Sequence, residues 1–449
     1  MITTTRTGGN DAAAHVQPAT RARTGPIVAL GMAVGLLAAV ALAAAPFVPA
    51  TEAALTGAVL LGFGFGWALL VALSVRFTDR PQHWAAAPAV FMALAGLVSC
   101  SGSTTARAVF GWVWPPVLLG LVAWVFVRAR RSLGSRPARW LLSPVLATLV
   151  VAAVGGGYET VRERLDVRAF PPPGQLIDVG GHRLHLRCTG SGAPTVVVEP
   201  GLGGSSADLG WIVPAVARDS RICVYDRAGR GWSDAANGPQ DGARIAADLH
   251  TLLDRGHVPG PYVLAGHSFG GLYVLSFAAQ FPNQVAGMVL LDSTAPKPGP
   301  PQLADTDSAS VLNRAAALLP AAAHLGAGRL LAHVTYDSLP ARAEAEARAN
   351  ASTAGHLRSL IDEELAAPAS LREASSLGSL NDKPLIVLTA DSGHDQGWRA
   401  AQDHLTTLST NSIHRYAKGT HVSLIDDQAD SAAASQAIRD VVDAVRTSQ

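Results

Sequence analysis

Ser268 stands at the centre of Gly266-His267-Ser268-Phe269-Gly270, a G-x-S-x-G pattern. The apolar run Tyr262, Val263, Leu264, Ala265 before it predicts a short buried strand, and residues 272–279 after it predict a helix. A serine on a tight strand-to-helix turn is held in a strained backbone conformation that exposes its hydroxyl. Side chains two residues to either side would collide, so glycine is required at 266 and 270. The positive end of the following helix favours negative charge beside Ser268, where the oxyanion of an acyl transfer would form. The chemistry this spacing supports is nucleophilic attack on a carbonyl. A serine hydroxyl is a weak nucleophile until a base takes its proton, so one of the 14 histidines must reach it.

A framework must hold these groups. Residues 176–179 and 183–188, around Gly180-Gly181, read as a hairpin, and 195–199 as a buried strand followed by Pro200-Gly201-Leu202-Gly203-Gly204. Residues 221–225 form the next strand, 243–254 are helical by period, and 285–291 are an apolar strand ending at Asp292. Strands at 385–389 and 412–417 follow, the second leading into Lys418-Gly419-Thr420-His421, and a helix at 436–445 closes the chain. Strands alternating with helices imply an α/β domain with a mostly parallel sheet covered on both faces.

From about residue 175 to 445 the chain resembles the α/β hydrolases with a serine nucleophile. The resemblance rests on GHSFG at 266–270, EPGLGG at 199–204, YDRAGRGWSD at 225–234 and GTH at 419–421, which occur in the family's order. It implies Ser268 as nucleophile and His421 as base, in the chain order serine, acid, histidine. His267 is read as structural, and His404 falls in a helical stretch. The oxyanion donors implied are the backbone amides of Phe269 and Leu202; Pro200-Gly201 replaces the His-Gly common in the family. The acid has three candidates. The family's usual G-x-x-D position after strand seven is occupied here by Gly393, a departure, with Asp391 and Asp395 on either side. Asp292 at the end of strand six is preferred, with Asp395 as the first alternative and Asp391 behind it. The stretch of about 295–383 corresponds to a helical cap over the pocket, with helical runs at 309–319 and 341–365. In the family's sheet order the strands carrying Cys188 and Cys223 are neighbours, so the two are either a disulfide or two buried thiols; Cys100 has no partner.

The N-terminal part is of another kind. Residues 1–25 are polar and expected to be disordered. Five apolar runs follow, at 26–48, 53–75, 84–101, 109–127 and 140–157, each near the length a helix needs to cross a bilayer. Only Glu52 and Asp79 are acidic between residues 26 and 157, so no ion or proton path is marked and the region reads as an anchor rather than a transporter. Gly62, Gly64 and Gly66 suit close helix packing. Arg6, Arg21, Arg23, Arg76, Arg80, Arg128, Arg130, Arg131, Arg136 and Arg139 fall on one side of these runs, with Arg107 alone on the other. That pattern predicts a multi-pass plasma-membrane protein with a cytoplasmic N-terminus, a linker at 158–174 and an extracytoplasmic hydrolase domain at 175–449. A net charge of +1 gives no basic surface for nucleic acid, and no CxxC or Cys/His cluster suggests a metal. No cofactor is expected. The expected partners are a small-molecule or lipid ester and the bilayer. The expected function is a membrane-anchored serine hydrolase of carboxylic esters; acyl transfer or peptide cleavage by the same residues, and a non-catalytic membrane sensor, are the alternatives.

Overall fold

The computed structural model describes residues 24–101, 104–132, 136–236, 238–296 and 313–448. All of the expected disordered segment 1–25 except its last two residues lies outside them, as do Arg6, Arg21 and Arg23 and the start of the 295–383 insertion. The apolar runs are five helices: α1 (Thr24–Ala44), α2 (Glu52–Phe77), α3 (Ala86–Cys100), α4 (Thr104–Ser132) and α5 (Arg136–Ala169). With the short turn His83–Ala85 counted into α3, each is long and apolar enough to cross a membrane. Pro88 falls in the first turn of α3, where a missing N–H removes no helical hydrogen bond. α1 and α2 touch backbone to backbone through Gly31 and Gly35 on one and Gly62 and Gly66 on the other. A Cβ on Gly66 would lie 2.6 Å from Gly35 Cα, so these pairs spaced four apart are what lets the helices close. α5 does not stop at the bilayer boundary: the stretch read from sequence as a linker is helical as far as Ala169.

The second domain is an eight-stranded sheet in the order β1-β2-β4-β3-β5-β6-β7-β8. The strands are β1 (Gln175–Asp178), β2 (Arg183–Thr189), β3 (Thr195–Glu199), β4 (Ile222–Asp226), β5 (Tyr262–His267), β6 (Val285–Leu291), β7 (Leu385–Ala390) and β8 (Ser412–Ala417). β1 and β2 run antiparallel and all later pairs are parallel. Alternate residues of each strand feed opposite faces, as a period of two requires. Val197 and Leu264 pack with α7 (Gly242–Arg255) and α8 (Phe269–Gln280). Val196, Val198, Val263 and Ala265 pack on the other face with α6 (Ile212–Val216) and α16 (Ser431–Ser448). Cys188 and Cys223 are opposite each other in the β2–β4 ladder and form a disulfide. Between β6 and β7 the insertion contributes α9 (Leu319–Ala323), α10 (Ala327–His333), α11 (Ala341–Ala351), α12 (Ala354–Leu365) and α13 (Ala367–Ser375). α14 (Gln396–Leu405) follows β7, and α15 (Ser423–Asp426) follows β8. The carboxyl ends of the parallel strands, where open α/β sheets hold their functional groups, therefore carry Glu199, Asp226, His267-Ser268, Asp292 and the turn containing His421.

Candidate active site

The turn between β5 and α8 confines Ser268 to φ 53° and ψ −124°, a conformation non-glycine residues avoid. The two flanking glycines make it possible. A Cβ on Gly266 would meet the Gly270 carbonyl at 2.5 Å, and one on Gly270 would meet the Glu199 carbonyl of β3 at 2.3 Å. Ser268 N donates to Leu291 O and Thr294 N to Ser268 O, so both neighbouring segments grip the turn. Among the described residues, Ser268 Oγ bonds to no protein atom, which leaves the hydroxyl open to a substrate.

His421 lies in the turn after β8, against the elbow. The buried ring of His267 donates from Nε2 to the His421 carbonyl at 2.8 Å, and the two rings sit 4.7 Å apart. His267 thus has a positional task and leaves the proton transfer to its neighbour. Burial and the nearby His421 push its pKa down to about 4, so at neutral pH it is uncharged.

Of the three candidate acids, Asp292 is the one that meets this histidine. His421 Nδ1 donates to Asp292 Oδ2 at 2.7 Å, His394 Nε2 donates to the same oxygen at 2.6 Å, and Trp398 Nε1 donates to Oδ1 at 2.9 Å. Asp292 itself adopts φ 45° at the end of β6 and is fully buried. Burial alone would raise its carboxyl, but the bonds from His421 and Trp398 and the nearby histidines outweigh that and hold it below the usual carboxylate range. Asp395 is engaged elsewhere: it caps α14 by accepting from Trp398 N at 2.8 Å. Asp391 accepts from Ser392 Oγ and Gly419 N. His394 and Trp398 are the partners the sequence reading missed. Their signal was a histidine lying between the two candidate carboxylates of the post-β7 loop.

Asp292, His394 and His421 bring three ligating atoms within 4.8 Å of one another. Nitrogen–oxygen separations of 2.6 and 2.7 Å are hydrogen-bond lengths, however. Two atoms each about 2.0–2.2 Å from a tetrahedral ion stand farther apart than that, so the cluster is a hydrogen-bond network.

The loop after β3 passes directly over the serine. A Cβ on Gly201 would come within 3.0 Å of Ser268 Cβ and 3.1 Å of His267 Nδ1, so only glycine fits. Among the described residues the backbone amides of Leu202 and Phe269 donate to no protein acceptor, which leaves both for a ligand oxygen. Arg227, buried behind the loop, fixes its path by donating to Pro200 O at 2.9 Å and Gly201 O at 2.7 Å. It also pairs with Glu199 at 2.5 Å and with Glu363 of α12 at 2.9 Å. Arg230 joins Glu363 at 3.1 Å. The two arginines hold the Glu363 carboxyl down at about 2 despite its complete burial.

Residues 194–359 match a family model described as alpha/beta hydrolase fold. The chain is 31% identical over 220 residues to an uncharacterized protein of Schizosaccharomyces pombe, covering 40% of this chain and 37% of that one. It is 32% identical over 126 residues to the 2-hydroxy-6-oxo-2,4-heptadienoate hydrolase of Pseudomonas putida, covering 26% of this chain and 44% of the other. The matched parts thus span less than half the length of these relatives. Among solved structures, the enol-lactonase from Burkholderia xenovorans aligns with 60% of this chain and 99% of its own, at 21% identity and a TM-score of 0.45.

Proposed function

The C-terminal domain is an α/β hydrolase by fold, and from that premise we propose that the protein is a membrane-anchored serine hydrolase that cleaves carboxylic esters through an acyl-enzyme. Ser268 Oγ attacks the ester carbonyl while His421 Nε2 takes its proton; with Nδ1–H committed to Asp292, Nε2 is the free basic nitrogen. The Phe269 and Leu202 amides receive the oxyanion. Collapse of the tetrahedral intermediate breaks the acyl–oxygen bond, and His421 returns the proton to the departing alcohol. Water, deprotonated by the same nitrogen, then attacks the acyl-Ser268 carbonyl and releases the acid. Asp292 remains ionised throughout and steadies the imidazolium. The observation that carries this reading is the 2.7 Å bond from His421 Nδ1 to Asp292 beside a strained, unbonded serine. The test is labelling by a fluorophosphonate probe. Wild type should label and Ser268→Ala should not; a wild type that fails to label while remaining folded sinks the proposal.

The proposed location is the plasma membrane, with the hydrolase domain outside. Two features support it. The arginine-rich loops lie at the ends of the helices away from the sheet, and the Cys188–Cys223 disulfide suits an oxidising compartment.

A further inference from the structure

The cap is seated on those ends of the spanning helices that face the sheet. Arg358 of α12 pairs with Glu52 in the first turn of α2, and His324 reaches the same carboxylate at 3.4 Å. Arg329 of α10 pairs with Glu159 and Asp166 of α5 at 2.8 and 2.9 Å. Arg314 donates to the carbonyls of Ala43, Ala45 and Val48, where α1 ends, at 2.8, 2.9 and 2.9 Å. Leu325, in the bend between α9 and α10, rests on α5 itself: a Cβ on Gly155 would lie 2.2 Å from the Leu325 carbonyl. Gly155 belongs to the apolar part of α5, so the bend lies at the depth where that span leaves the hydrocarbon.

The helical stretch Asn313–Ala323 and α10 meet at 85°. This elbow exposes Leu319, Leu325, Leu330, Leu331 and Val334, between 42% and 77% of each. Five large apolar side chains on one short elbow are out of place in water. Beside the ends of five spans they extend the lipid-facing surface of the bundle, as an interfacial amphipathic element does.

The same cap reaches the reacting centre. Two residues beyond Arg358, Leu360 packs on the oxyanion loop, where a Cβ on Gly203 would meet Leu360 Cδ1 at 2.8 Å. Three residues further, Glu363 holds Arg227, which in turn holds Gly201 O. A helix of 12 residues, about 18 Å long, therefore joins the membrane end of α2 to the loop over Ser268.

We propose that the α9–α10 elbow lies in the boundary between headgroups and acyl chains of the adjoining leaflet, and that the site draws its substrate from that leaflet, an ester of a bilayer-resident lipid with a long acyl chain. The substrate part rests on the serine-hydrolase reading; the insertion of the elbow does not.

The experiment uses the full chain in phosphatidylcholine–phosphatidylglycerol nanodiscs. An environment-sensitive nitrobenzoxadiazole probe is attached at Leu331→Cys in a Cys100→Ala background, with the 188–223 disulfide intact. Its emission should shift to the blue and be quenched by nitroxide lipids labelled at a shallow acyl position; water-like, unquenched emission overturns the proposal. In parallel, Leu330, Leu331 and Val334 are changed together to serine. Because these side chains are exposed, the variant should fold and label with fluorophosphonate as the wild type does. Its turnover of a soluble short-chain ester should stay within about twofold, while turnover of a long-chain ester dissolved in the disc should fall at least about tenfold. Unchanged turnover of both esters, or an equal loss on both, overturns the proposal. If the wild type turns over neither ester and does not label, the serine-hydrolase reading has failed, and the substrate assignment with it. The probe depth, which needs no turnover, still decides the insertion of the elbow.

Discussion

One carboxylate, Asp292, receives two histidines and a tryptophan, and each should have a separable consequence. Asp292→Asn should lower kcat by about 10³–10⁴ on a short-chain ester, because His421 loses the acceptor that fixes its tautomer. Asp395→Ala should leave kcat within about twofold and cost about 1 kcal/mol of thermal stability, the value of a lost helix cap. Steady-state kinetics and melting curves on the pair of variants distinguish the two roles. Ser268 and His421 were legible in the sequence because their local patterns announce them: glycines around a serine, and a short turn after the last strand. The acid was not so fixed. Spacing along the chain cannot say which of three carboxylates at the sheet edge the post-β8 turn will face, and the glycine at 393 removed the usual marker. His394 went unnoticed since a single base satisfied the chemistry being sought.

At the scale of elements, the link between the cap and the sheet is a buried charge cluster. The sequence showed Arg227 and Arg230 in a motif but not their partner, because Glu363 lies 136 residues away from Arg227 in a helix whose alanine-rich sequence carries no marker of contact. Removing that partner should be costly. Glu363→Ala leaves two buried guanidinium groups short of a counter-charge and should destabilise the domain by about 3–5 kcal/mol in chemical denaturation. Acid should act on the same region. The pKa values of His267 and His356 are driven down to about 4 and about 3 from 6.5, first by burial and then by neighbouring positive groups. The Glu363 carboxyl is held at about 2 against 4.5. All three bind fewer protons folded than unfolded, so their contribution is complete above pH 6.5. It fades as pH falls through the histidine values of about 4 and about 3, and then toward 2 as Glu363 protonates. Melting temperatures recorded from pH 7.5 downward should decline from about 6.5; a flat profile down to pH 4 would show that these groups are not buried as described.

For the whole molecule, the five spans and the α/β domain were readable from hydropathy and strand–helix alternation, because both patterns are periodic and local. The docking of the two parts was not, since it depends on single charged residues brought together over hundreds of positions, such as Arg358 with Glu52. The Cys188–Cys223 bridge closes a loop of 35 residues, and reducing it should cost about 3–4 kcal/mol. It also reports the side of the membrane. In denatured protein taken directly from cells, a maleimide gel-shift reagent should add once, at Cys100, before reduction and three times after it. Three additions without reduction would place the domain in a reducing compartment.

α5 has a mechanical meaning beyond anchoring. Its 34 residues form a rod about 50 Å long, against a hydrocarbon core about 30 Å thick. At its far end Trp232 Nε1 donates to Phe170 O at 2.8 Å and pins the rod to the sheet domain. The azimuth of the catalytic domain above the bilayer is therefore set by helical phase. One residue inserted after Asp166 would turn the domain by about 100° and pull Arg358 away from Glu52, whereas four inserted residues would bring it round to within about 40° of its starting angle, about 6 Å higher. Activity should follow rotation rather than height, and the smaller insertion should do the greater harm.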